Sequence, residues 1–348
     1  MRFRSILLAS VMLLATGCDY DSSGYPSGPG TVYPPAPTRL WAEGLWTVSG
    51  VPGEINRLDA SQLLTTGTLI PATRLSTPSA SLFTLNSIAF DNQGVMWVAS
   101  EEDSVLLGFI AGNEGATGSV TPAITINPIA GSIAAPTGIA FDTDGSLWMA
   151  NIGNGTIVRF DKSQLARSGT PIPTVTITGV PHPSGLAFDA SGTLWVTDLR
   201  ANTVSRYLRG QLLTSGDKEP AIVLSSNANS LVNPSGIAFD SFNNMWIANN
   251  GNESVVEFRP PERTSSGSPA PALTLRPTQA PLGGPVGIAF DAEGSIWIAG
   301  AQGVLSKFTA ASIAASGPDE PVLQVKLQNN VLLWSIAFFP KPVGFPLN

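Results

Sequence analysis

The chain has 348 residues, of which 43% are hydrophobic and 12% charged, and its net charge is −7. That apolar share excludes disorder throughout, and the acidic balance excludes a surface built to hold nucleic acid. With few charges the surface must be polar through Ser, Thr, Asn and Gly, and 348 residues exceed the usual single core unless repeats spread it over small layers.

The first residues carry a basic start at Arg2 and Arg4, an apolar run from Ile6 to Ala15, and then small residues. This is the layout of an export signal, assigned to residues 1–17, and its apolar run is about half a bilayer span. The stretch Ala15-Thr16-Gly17-Cys18 resembles the lipobox of bacterial lipoproteins, in which the Cys becomes the lipid-modified first residue of the mature chain. Ala15 departs from that pattern, where Leu is commoner. Cys18 is the only cysteine in the sequence, so it has no disulfide partner, and acylation gives the thiol a role. The resemblance implies a membrane partner reached through lipid on Cys18, and a lipid-anchored location in the cell envelope. Residues 18–38 are rich in Gly, Ser and Pro and include Pro34-Pro35-Ala36-Pro37; such a segment cannot form a core and is expected to be a partly extended tether. No other stretch is long enough to span a membrane.

Residues 39–348 are read as a propeller domain because one phrase recurs along them. It runs Asn86 to Asp91, Pro136 to Asp142, Pro183 to Asp189, Pro234 to Asp240 and Pro285 to Asp291, with a sixth copy at Ser335-Ile336-Ala337-Phe338. Each of the first five is followed by a turn and a second strand bearing Trp97, Trp148, Trp195, Trp246 or Trp297, and Trp46 is the matching residue upstream of them all. From Trp46 the intervals are 51, 51, 47, 51 and 51 residues. A third apolar run follows in each unit, as in Ile157 to Phe160, and a fourth after a proline, as in Thr174 to Ile177; β-branched residues between turn signals read as strands. Between the third and fourth runs, stretches such as Ser61 to Gly67 and Gln211 to Gly216 are long enough for one helical turn ended by glycine, and far too short for a βα crossover. The fold expected is all-β, a six-bladed β-propeller of four-stranded antiparallel blades.

The turns Asp91 to Gly94, Asp142 to Gly145, Asp189 to Gly192 and Asp291 to Gly294 pair an aspartate able to bond turn amides with a glycine free to take positive φ; Asn243 replaces the glycine in the remaining copy. The ends of the domain are complementary. The last copy stops at Pro340 after a first strand, while the N-terminal unit begins at its second, Leu45-Trp46-Thr47-Val48. The C-terminal strand is therefore expected to pair with the N-terminal blade, with Leu40 to Gly44 as an added piece.

The phrase Pro-x-Gly-Ile-Ala-Phe-Asp-x-x-Gly-x-Leu-Trp-x-Ala-Asn, in six copies over some 300 residues, resembles NHL-type repeats and the gluconolactonase and virginiamycin B lyase group. The resemblance implies the propeller, but a scaffold that hosts enzymes and binding modules alike implies no single function.

The repeated Asp and Trp answer a demand present in every blade and are read as structural, so function is sought in departures from the pattern. Antiparallel order puts the start of the first strand and the end of the second on one face of the disc. That face collects Asn86, Thr137, Ser184, Ser235 and Val286 from one set, and Ser100, Asn151, Asp198, Asn249 and Gly300 from the other. The hydroxyls and amides among them form a candidate ligand or partner face for an envelope protein or glycan. The gluconolactonase resemblance implies an axial metal held by Glu, Asp and Asn, whereas the matching positions offer one Asn with Ser, Thr and Val; no metal and no cofactor is expected. The lyase resemblance implies a histidine with a carboxylate, for which His182 and Asp198 are the candidates. Glu101-Glu102-Asp103 reads as a solvated loop. The basic residues Arg57, Arg159, Arg206 and Lys307, before the aromatic of the third strand, read as solvent-facing. The function expected is a non-catalytic binding or scaffold propeller on an envelope membrane, with a lactonase- or lyase-type enzyme as the alternative.

Overall fold

A computed structural model describes residues 41–50, 53–76, 84–112, 118–314, 320–328 and 331–344. The export signal, Cys18 and the tether lie outside the described residues. Among the described residues, no helix is long and apolar enough to cross a membrane.

The strands form six sheets around one axis. Blade 1 has the order Leu333–Phe339, Gly44–Ser49, Glu54–Leu58, Thr73–Ser76, so its innermost strand comes from the far end of the sequence. Leu45 pairs with Phe338 and Thr47 with Ile336, which closes the ring as the complementary ends predict. Blades 2 to 6 open with the inner strands Leu85–Phe90, Pro136–Phe141, Pro183–Phe188, Pro234–Phe239 and Pro285–Phe290. Each inner strand lies against those of its neighbours.

The core is divided into six apolar clusters, each shared by two adjacent blades. The six repeat tryptophans are at most 1% exposed, and five of them meet a phenylalanine at the last or next-to-last position of the next inner strand, at centroid distances of 6.1–6.4 Å. The repeated Asp and Trp also bond each other. Asp189 accepts the ring N–H of Trp195 at 3.0 Å on Oδ2 and the amides of Ser191 and Thr193 on Oδ1, and Asp91, Asp142, Asp240 and Asp291 accept their own tryptophans at 2.9–3.1 Å. The carboxylate thus fixes the turn and the core ring together. Blade 1 has no such turn, and there the carbonyl of Ala42 takes the Trp46 ring N–H at 3.2 Å while Trp41 packs edge-on against it.

The basic residues of the third strand are half-buried rather than solvent-facing. Lys307 reaches Asp291 at 2.8 Å and lies 5.2 Å over the Trp297 ring; Arg159 and Arg206 cover Trp148 and Trp195 in the same way. Burial pushes the Asp291 carboxyl up, but Lys307 and the Trp297 ring N–H outweigh it and hold it below the usual range. In blade 2 the position is Gly108, whose added Cβ would lie 3.1 Å from the Trp97 ring. With no cation at that position, burial wins and raises the Asp91 carboxyl despite its hydrogen bonds.

The third-to-fourth connection also departs from expectation. The 3-10 turns end at Leu64 and Leu213, before Gly67 and Gly216, so these glycines are not helix caps. With φ of +117° and +123°, they start short parallel pairings onto the outer strand of the preceding blade, Gly67 to Leu69 on Val325 to Leu327 and Gly216 to Asp217 on Ile177 to Thr178. Single bridges do the same at Ser119, Gly169 and Gly267. At the remaining junction Glu320 accepts the amides of Thr278, Gln279 and Ala280 at 2.8–2.9 Å. Ser168, Ser215 and Ser266, each just before its glycine, accept an outer-strand amide at 3.0 Å. A Ser/Thr-Gly pair recurring near positions 66, 117, 168, 215 and 266 is the sequence signal for this strap.

Candidate functional site

The inner strands approach backbone to backbone because their third residue is glycine in four blades. A Cβ on Gly138, Gly185 or Gly236 would stand 2.3, 2.3 or 2.4 Å from the carbonyl oxygen of Ser184, Ser235 or Val286. In the other two blades the position is serine, and Ser87 Oγ accepts the amide of Ile139 at 3.2 Å. Along the axis the strands enclose a cavity of about 400 Å³, within the ~300–1,000 Å³ of small-molecule sites.

Alternation along the inner strands layers this cavity. At one mouth stand Asn86, Thr137, Ser184, Ser235, Val286 and Trp334; two residues on comes a belt of Ile88, Ile139, Leu186, Ile237, Ile288 and Ile336. Thr137 donates to the Pro183 carbonyl at 2.9 Å and Ser235 to that of Val286 at 3.4 Å, so both hydroxyls also bridge blades. Asn86 donates to Glu101 Oε2 at 2.7 Å, and loop residues Asn233 and Asn250 complete the rim.

The second predicted set does not reach this space. Ser100, Asn151, Asp198 and Asn249 are buried and do not border the cavity. Asn151 accepts the Ala134 amide and donates to the Ser132 carbonyl, and Asn249 does the same with Val232 and Ser230. These amides hold the loop that enters the first strand of their own blade. Asp198 is spent likewise on the amides of His182, Arg200 and Ala201, and Ser100 donates to Asp103. Being at the end of the second strand places a residue one strand away from the axis, behind the inner strand, and a shared face of the disc is not a shared opening.

His182 Nδ1 lies 3.8 Å from Asp198 Oδ1, and neither residue borders the axial cavity. The acidic run is divided: Glu101 faces the channel, Glu102 is exposed, and Asp103 holds Ser100. Glu101, Trp334, Asn233 and Asn250 are mouth residues that the sequence reading did not single out as a site. Trp334 occupies the register position of Thr137, two residues before Ile336, and that alignment was the available signal.

Residues 50–216 match the SMP-30/Gluconolactonase/LRE-like region. No curated protein sequence matches the chain. Among solved structures the chain is similar to a nidogen/laminin complex component, at 14% identity and a TM-score of 0.59 over 86% of this chain and 100% of that one. A Bacteroides caccae protein of unknown function gives 12% identity and a TM-score of 0.61, again over 86% and 100%. The virginiamycin B lyase of Staphylococcus aureus gives 17% identity and a TM-score of 0.47 over 65% of this chain and 67% of that one. At such identities the nidogen component and the Bacteroides caccae protein share the propeller fold with this chain and nothing more. An axial divalent ion of the kind the gluconolactonase resemblance implies does not fit the residues present. The mouth supplies one carboxylate, Glu101, already held by the Asn86 amide; the remaining donors are amides and hydroxyls, and among the described residues no three His, Cys, Asp or Glu side chains converge.

Proposed function

We propose that the protein is a non-catalytic binding propeller of the bacterial cell envelope, tied to a membrane by acylation at Cys18 and engaging an envelope glycan at the polar mouth of its channel. The observation that carries the reading is the make-up of that mouth: one tryptophan beside Asn86, Glu101, Asn233 and Asn250. An aromatic face with nearby amides and a carboxylate is the chemistry that recognises sugar rings and their hydroxyls. Asn86 Nδ2 holds Glu101 in place at that mouth, while the Trp334 ring nitrogen packs against Gly50.

Two measurements test the two halves of this reading. Cys18→Ala protein is expected to leave the membrane fraction, and continued sedimentation with membranes after carbonate washing would remove the anchor. Purified mature protein is expected to co-sediment with isolated envelope glycan, and Trp334→Ala to reduce the bound fraction about tenfold, the scale of one lost stacking contact. Equal sedimentation of the variant, or capture of a protein partner that is indifferent to glycan, would overturn the glycan assignment.

A further inference from the structure

The interior of the channel and its far end offer a second chemistry, independent of the mouth. Inner strands run from the polar rim to the opposite side of the disc, and after Phe339 the chain crosses that side so that Lys341 and Pro342 border the cavity together with Phe90, Phe290 and Phe338. From Trp334 to Phe339 the strand advances about 16 Å, so Lys341 and the mouth stand at opposite ends. Between them lies the belt of five isoleucines and one leucine. The Lys341 Nζ is shielded from solvent and has no hydrogen-bond partner, and Glu101, at the other end, is the one other ionisable side chain bordering the cavity among the described residues.

A buried ammonium with neither counter-ion nor hydrogen bond is costly, and such a group calls for a functional explanation. Here the explanation is spatial: the amine sits on a flexible four-carbon stem at the end of the cavity opposite the polar mouth, beyond the apolar belt. We propose that this cavity binds an amphipathic organic anion, its charged group meeting Lys341 and its apolar body lying along the isoleucine belt. The anion supplies the acceptors that Lys341 lacks, in a low-dielectric setting where a charge-assisted hydrogen bond is strong. Burial alone lowers the Lys341 amine to about 8, so the ammonium that the anion needs is lost as pH rises through that value.

The test uses 1-anilinonaphthalene-8-sulfonate as the anionic probe and N-phenyl-1-naphthylamine, which has the same rings without the sulfonate, as the neutral one. The mature protein is expected to bind the sulfonate one-to-one, Lys341→Met to weaken it at least about tenfold, and the neutral probe to bind both proteins alike. Affinity of the unsubstituted protein for the sulfonate should fall from pH 7 to pH 9, and that of Lys341→Met should stay flat. Ile139→Phe and Ile288→Phe, which fill the belt, should each reduce binding of both probes while keeping a normal melting curve, and undiminished binding of both probes by a folded variant would overturn the placement along the belt. Equal sulfonate affinity in Lys341→Met, or a flat pH profile in the unsubstituted protein, would overturn the proposal while leaving glycan binding at the mouth untouched.

Discussion

A chain ending at Leu332 is expected to have no stable folded monomer. The truncation removes Leu333–Phe339, the strand paired along the whole length of Gly44–Ser49. It strips Leu333 and Ile336 from the cluster between blades 6 and 1, and Phe339 from the cluster between blades 1 and 2. Both seams of one blade lose apolar contacts at once, and the inner edge of Gly44–Ser49 is left unpaired around the axis. Those losses together are comparable with the ~5–15 kcal/mol that holds a typical domain folded. Circular dichroism melting and sedimentation velocity read the outcome. A synthetic peptide covering residues 331–344 should restore a cooperative transition when added in excess, by binding the folded state only. A truncated chain that melts cooperatively near the temperature of the full one would disprove closure by this strand.

Replacing one repeat tryptophan should be the most costly point change. Trp195 is fully buried, and it gathers Phe239, Arg206, Arg263 and Asp189 around one ring. Trp195→Ala is expected to cost about 3–5 kcal/mol, seen as a lower urea midpoint at unchanged slope. Trp195→Phe keeps the apolar face and removes the N–H, which withdraws one of the donors that hold the Asp189 carboxyl below the usual range against the upward push of burial. Its cost is expected to be about 1–2 kcal/mol. Equal losses for the two variants would mean that the aspartate bond, rather than the ring, holds the seam.

Much of this architecture is legible in the sequence because it is repeated. The Phe-Asp pair with a tryptophan six residues after the Asp recurs five times, and Trp46 and Ser335 to Phe338 supply the two halves of a sixth unit, which together give blade number, strand order and the closing strand. The Asp–Trp bond was within reach too, as the spacing never varies, although reading the two residues as separate structural parts hides it. The strap was misread at Gly67 and Gly216 because a glycine after a short turn has two uses, helix cap and positive-φ entry to a pairing, and only the neighbouring blade decides between them. The channel was half legible. Alternation gives Asn86, Thr137, Ser184 and Ser235 correctly as rim residues, but counting along a strand does not say which strand is innermost, and so Asn151 and Asn249 were placed at an opening they only support. Lys341 leaves no pattern at all: it follows the last repeat, and its position depends on how the chain turns after Phe339.

The way blade 1 takes up a mechanical load follows from its strand order. A pull on the chain ahead of Trp41 enters at Gly44–Ser49, a strand bonded on one side to Leu333–Phe339 and on the other to Glu54–Leu58. Tension along that strand strains both rows of bonds simultaneously, in shear, instead of peeling them open singly. Blade 1 also grips blade 6 through Gly67 to Leu69, so force arriving at one module is shared with the next before any strand can slip.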